Sequence, residues 1–225
     1  MPDDYPVNEI RITDCGTMPY REAWSLQSRL NEGVRNGTEQ ETILIVEHAP
    51  VYTLGFHADA GNMLLDEQRL RAIGAECIRI ERGGDVTFHG PGQVVAYPII
   101  SLPNHHLGVK QYVSVLEEAV IETIAEWGLT GERIEGKTGV WVKGYSGVYR
   151  KICAIGIKVR RGVTMHGLAL NVSTDLRWFG NINPCGFSSD SVTSMMESTG
   201  DGGGVMLSDV KRVLAERLKN LLYRN

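Results

Sequence analysis

Apolar and polar positions follow two rhythms along this chain. Short β-rich apolar runs at 42–48 (TILIVEH), 51–57 (VYTLGFH), 77–81 (CIRIE), 94–100 (VVAYPII), 139–142 (GVWV), 152–159 (ICAIGIKV) and 167–172 (GLALNV) predict strands. Two stretches keep a helical period instead. Val109, Tyr112, Val113, Leu116, Val120, Ile124 and Trp127 make one stripe, and Val210, Val213, Leu214, Leu218, Leu221 and Leu222 make another that starts after Ser208, a candidate N-cap.

Only Arg160, Arg161 and Gly162 separate KICAIGIKV from VTMHGLALNV, too few residues for a crossover between parallel strands. An antiparallel hairpin is therefore expected, within an α+β fold of a mixed, largely antiparallel sheet with helices packed against it. No linker, repeat or low-complexity break interrupts the pattern, so residues 1–225 read as a single domain.

Hydrophobic residues make up 42% and charged residues 22% of the 225, ordinary globular usage. The net charge of -4 gives no global reason to expect a nucleic-acid partner. Cys15, Cys77, Cys153 and Cys185 form no CxxC pair, which argues against a zinc knuckle or a disulfide framework and fits reduced thiols in the cytoplasm. The amino terminus, MPDDYPVNEI, shows neither a signal peptide nor a basic transit peptide, and no run approaches the ~18 apolar residues of a membrane span.

Gly131 to Thr138, GERIEGKT, satisfies the spacing of a phosphate-binding loop. Its context contradicts the match. A helix precedes it and a strand-like run follows, the reverse of the required order, and Glu132 and Glu135 would face the polyanion.

Other stretches carry more chemistry. Arg82 to Gln93, RGGDVTFHGPGQ, holds four glycines, a density that marks close backbone approach to a ligand as readily as it marks a turn. Cys185 stands between Pro184 and Gly186, just ahead of Ser188, Ser189 and Asp190, any of which can cap a following helix whose dipole favours thiolate. Cys153 sits in an apolar strand and reads as packing. His89 and His166 lie beside glycines, and no Cys/His spacing supports a metal.

Four blocks in order, RGGDVTFHGPGQ, RKICAIGIKV, TMHGLALNV and PCG, resemble the octanoyltransferases of lipoate assembly, also called lipoyl(octanoyl) transferases or lipoate-protein ligase B. The resemblance runs from about Thr42 to Ser194. It implies a biotin/lipoate protein ligase-like fold and transfer of an octanoyl or lipoyl group from acyl carrier protein to a lysine of lipoyl domains. The acceptors implied are those of 2-oxoacid dehydrogenases and the glycine cleavage H protein, with no cofactor and no need for more than a monomer. By the same resemblance, Cys185 would carry the acyl thioester and Lys151 would activate it. Arg82, Gly83, Gly84, Asp85, Val86, Thr87, Phe88 and His89, with Ala154, Ile155, Gly156, Gly167, Leu168 and Ala169, would line the acyl site.

The chemistry suffices without a nucleotide, because thioester exchange conserves the bond type and aminolysis runs downhill. A free thiol is only ~3% thiolate at pH 7, so a neighbouring lysine has much to add, either as a cation or as a base. Two alternatives remain at this level: an ATP-dependent lipoate or biotin ligase on the same fold, and a non-catalytic lipoyl-domain binder. Finally, Lys137, Lys143, Arg150, Lys151, Lys158, Arg160 and Arg161 fall between Gly136 and Thr174 with no acidic residue among them, an expected landing surface for an acidic carrier protein.

Overall fold

The computed structural model describes residues 9–144, 146–183, 191–200 and 204–224. Its larger sheet has seven strands: β1 (Arg11–Thr17), β2 (Thr42–Glu47), β6 (Gln93–Ile99), β10 (Val163–Asn171), β9 (Tyr149–Arg160), β8 (Lys137–Lys143) and β7 (Gly131–Ile134), in that spatial order. Only β1 and β2 run parallel; every other neighbouring pair in this sheet is antiparallel. A smaller sheet sets β3 (Val51–Leu54) between β4 (Glu76–Arg79), parallel, and β5 (Val86–His89), antiparallel.

The central strands β6 and β10 are buried at every residue. Helices α3 (Val109–Ala125) and α5 (Leu207–Tyr223) cover one face of the large sheet, and α1 (Tyr20–Asn36) covers the other. That sandwiching explains why these runs are continuously apolar rather than alternating. Two short helices, α2 (Glu67–Ala72) and α4 (Met195–Ser198), complete the set among the described residues. None of the helices described is long and apolar enough to cross a membrane.

The expected hairpin is present: β9 and β10 pair from Arg160↔Val163 through Cys153↔Leu170. Arg161 and Gly162 form its turn, both at positive φ (50° and 85°), as a tight two-residue connection requires. The rejected phosphate-loop match is also a hairpin. Its GERI is β7, Glu135 and Gly136 make the turn, and Lys137 and Thr138 open β8 with no helix following.

Several details differ from the sequence reading. Helix α5 begins at Leu207 with Met206 as its N-cap, so Ser208 lies inside the first turn. Val109 is half-exposed, and the buried face of α3 turns toward Val115 and Ala119 instead, because these residues meet α5 and the sheet. The glycine-rich stretch after Arg82 contains a strand, β5, rather than one continuous loop.

Candidate active site

A cavity of about 310 Å³ lies between the α1 side of the large sheet and β5 with the loop that precedes it. Its floor is made of small residues set in register: Gly156 opposite Gly167, and Ala154 opposite Ala169. A methyl group at Gly167 would overlap the carbonyl oxygen of Ala96 on β6. One at Gly156 would stand 2.9 Å from both Arg82 Cδ and the Gly83 carbonyl oxygen. These glycines are demanded by the closeness of neighbouring main chain, and the groove above them is open as a consequence.

The facing wall starts at Arg82, which is 7% exposed. Its guanidinium donates to Thr53 on β3, from Nη2 to the carbonyl oxygen at 2.7 Å and from Nε to Oγ1 at 3.2 Å, and from Nη1 to the Gly83 carbonyl at 2.9 Å. The Gly83 amide crosses to the Ile157 carbonyl at 2.9 Å, tying this loop to β9. Gly84 follows at φ 87°, a conformation that suits glycine.

At one end of the cavity stands Lys151, early in β9. Its Nζ is 4.8 Å from the centre of the Trp141 ring on β8. A polar relay surrounds this end. The side-chain oxygen of Gln93 sits 2.8 Å from His89 Nδ1, Gln93 Nε2 donates to Asn171 Oδ1 at 2.9 Å, and Asn171 Nδ2 donates to the Thr193 carbonyl at 3.0 Å. The Thr193 amide in turn donates to the Lys151 carbonyl at 2.9 Å, and Val192 forms a parallel bridge with Lys151. Three strands and the segment entering α4 are thereby locked around the lysine. Burial holds His89 neutral, pushing its pKa down to about 3.

At the other end are Tyr97 and His166. His166 is 1% exposed, has φ 57° inside β10, and neither ring nitrogen has a hydrogen-bond partner among the described residues. Burial, with the nearby charges of Arg82 and Lys158, pushes its pKa down to about 3. A left-handed non-glycine residue costs ~1–3 kcal/mol, and each orphaned buried polar atom a comparable amount.

Of the expected lining residues, Arg82, Gly84, Asp85, Val86, Thr87, His89, Ala154, Ile155, Gly156, Gly167, Leu168 and Ala169 face the cavity together with Lys151. Gly83 and Phe88 do not. Gly83 contributes its amide behind the wall, and Phe88 turns the other way, stacked on Trp178 at 5.1 Å and edge-on to Phe179 at 5.7 Å. Cys185 lies outside the described residues. Cys153 is fully buried and its thiol is pushed up to about 12 by desolvation, in keeping with a packing role. Gln93, Lys137 and Asn171, which lie in stretches already singled out but carried no expected role at the site, also line the cavity, as do Tyr20, Tyr97 and Trp141, which no motif set apart in sequence.

The seven basic residues do not form one patch. Lys137, Lys143, Arg150 and Lys151 lie on β8 and the start of β9, with Arg150 paired to Glu197 at 2.8 Å. Lys158 and Arg160 lie at the opposite end of β9 and Arg161 in the turn that follows, with Arg160 nine residues from Lys151, or ~30 Å along an extended strand.

A family model described as the lipoyl protein ligase A/B catalytic domain matches residues 19–219. An octanoyltransferase of Bacteroides fragilis is 48% identical over 211 residues, covering 92% of this chain and 95% of that relative. Among solved structures, a bi-partite lipoate protein ligase from Thermoplasma acidophilum superposes with a TM-score of 0.71 at 16% identity, over 95% of this chain and 84% of that one. A biotin protein ligase from Aquifex aeolicus, solved with biotin and ATP, follows at 0.53 and 14%, over 94% and 70%.

Proposed function

This chain belongs to the lipoyl protein ligase A/B catalytic family, among its octanoyltransferases, and is an acyltransferase of protein lipoylation; we propose that it takes its acyl group from acyl carrier protein through a thioester on Cys185. The acceptor is a lysine of lipoyl domains, including those of 2-oxoacid dehydrogenases and the glycine cleavage H protein. The reaction takes place in the cytoplasm, in one catalytic domain spanning residues 1–225.

The observation that carries this reading is a slot floored by glycine and alanine that terminates at a lysine fixed by a polar relay. An acyl chain packs along such a floor, and its carbonyl comes to rest where an amine can handle protons. Two balanced steps follow. The Cys185 thiolate attacks the carrier thioester, the new C–S bond forms, the old one breaks, and the carrier thiol leaves with the proton released from Cys185. The acceptor amine then attacks, a C–N bond forms, the Cys185 C–S bond breaks, and the amine's proton is returned to the thiol. Lys151 passes that proton in both directions.

Intact mass measured after mixing with octanoyl carrier protein tests the proposal. A single octanoyl adduct, removed by hydroxylamine and absent from Cys185→Ala, is expected. Release of AMP from ATP and free octanoate without carrier protein would instead make the enzyme an adenylating ligase.

A further inference from the structure

Lys151 reaches the slot only because β9 breaks its own alternation. Ala154 and Gly156 make the slot floor, and Ile157 and Val159, on the opposite face of the strand, pack against the core under α3 and α5. Counted back from there, Ile152 would join the floor and Lys151 would point into the core. Instead the consecutive residues Ile152 and Cys153 are both fully buried in that core, and Lys151 lines the slot. The register gives the cause: Cys153 pairs with Val140 on β8, whereas Lys151 pairs with the very next residue, Trp141, so Ile152 is an extra residue in β9 and forms a β-bulge.

The bulge is held from α3. Gly139, on β8 beside it, has φ 124°, and a Cβ there would stand 2.5 Å from the Cys153 carbonyl oxygen and 3.3 Å from Lys151 Cε, so the β8 main chain lies directly against both the bulge and the lysine stem. The Gly139 amide donates to Oε1 of Glu117 at 3.0 Å, in a contact closed to solvent. Glu117 is 7% exposed, and its Oε2 accepts from Arg133 Nε on β7 at 3.2 Å. A carboxylate kept in the core is thereby paired on both oxygens, and one of them is committed to main chain beside the bulge.

We infer that Glu117 is a positioning residue for acyl transfer: through the Gly139 amide it fixes the bulge that turns Lys151 into the slot. Removing the acceptor leaves a buried main-chain amide unpaired and releases the register beside Lys151, where a slip of one residue carries a side chain to the opposite face of the sheet. The inference rests on the acyl-transfer reading above, which gives Lys151 its role.

The test follows octanoyl transfer from carrier protein to a lipoyl domain, together with hydrogen exchange of the Gly139 amide by NMR, in three variants. Glu117→Leu, which offers no acceptor, is expected to expose the Gly139 amide to exchange and to lower kcat about tenfold or more with the carrier-protein KM near wild type. Glu117→Gln keeps an acceptor oxygen for Gly139 and is expected to retain amide protection and most of kcat. Arg133→Ala removes the ion pair but leaves the Gly139 contact, so it controls for lost stability, with kcat expected near wild type. Should Glu117→Leu not fold, Glu117→Asp, whose carboxylate falls one methylene short of the amide, carries the same expectation at smaller size. Equal kcat in the leucine and glutamine variants, or an unchanged Gly139 amide in the leucine variant, overturns the positioning role alone. Absence of octanoyl transfer by the wild-type enzyme overturns the transfer reading and the positioning role with it.

Discussion

The side-chain nitrogen of Lys151 lies 4.8 Å from the centre of the Trp141 ring on the adjacent strand, so one face of the slot also orients the amine assigned to thiol activation. Charge and proton transfer are separable at this position, because arginine keeps a cation but does not give up its proton. Lys151→Ala is expected to raise the pH midpoint of Cys185 alkylation. Lys151→Arg should partly preserve that midpoint yet transfer acyl groups at least about tenfold more slowly, the lower range of a general-base contribution being ~100-fold. Full turnover by the arginine variant would remove proton transfer from the role of Lys151, and an unshifted midpoint in the alanine variant would remove thiol activation.

Cys153 reads as a packing residue in sequence, and its surroundings in the fold agree. Cys153 is fully buried in the core, and desolvation pushes its thiol up to about 12, so it holds almost no thiolate at neutral pH. Cys153→Ala should lose ~1 kcal/mol of stability, seen as a lower thermal midpoint, and keep the full octanoyl adduct by mass. Retention of the adduct in Cys185→Ala together with its loss in Cys153→Ala would reverse the assignment.

Carrier docking should depend on the cations at the Lys151 end. Lys137 lines the cavity, and Lys143 follows Trp141 by two residues on β8. The double substitution Lys137→Glu, Lys143→Glu is expected to raise the carrier-protein KM several-fold at low salt and to flatten its salt dependence. Lys158→Glu, Arg160→Glu, Arg161→Glu, some 30 Å away along the strand, should leave both near wild type. The opposite pattern would place the carrier against the β9–β10 turn.

A pH dependence of stability is built in at the end of α5. His105 sits 2.5 Å from Glu41 through Nε2 and 2.9 Å from the Leu222 carbonyl through Nδ1, and the Glu41 hydrogen bond, against the opposing effect of burial, raises its pKa above 6.5. Because the folded value is the higher one, protonation favours the fold. The added stability is fully present below pH 6.5 and is lost as pH rises through the raised folded value. The thermal-midpoint gap between wild type and His105→Gln should therefore narrow as pH is taken from about 6 to about 9, with a charged hydrogen bond worth ~1.5–3 kcal/mol at stake. A gap constant over that range would show that the pair does not titrate.

The hairpin was legible because it is local, and the slot-floor residues because they sit in the blocks that carry the family resemblance. Thirteen of the residues that the resemblance implied for the site, counting Lys151, face the cavity, and most lie in three short stretches. What was not legible is brought together only by tertiary pairing. Gln93 and Asn171 are 78 residues apart and meet because β6 and β10 are neighbours. Helix α1 escaped because its buried face includes Gln27, Asn31 and Gly33, which dilute the apolar stripe. Strand β5 was hidden among glycines that signal a loop. His166 was visible as a histidine beside glycine, but its orphaned nitrogens are a property of the cavity and not of the motif.

The slot floor has a thermodynamic side as well. Glycine and alanine have no side-chain rotamers to surrender, and the strands that carry them are already fixed by their ladders. For an acyl chain bound as proposed, on Gly156, Gly167, Ala154 and Ala169, the ordering cost on that side would fall on the ligand alone. The slot floor thus offers a bound chain a surface with almost no conformational freedom left to lose.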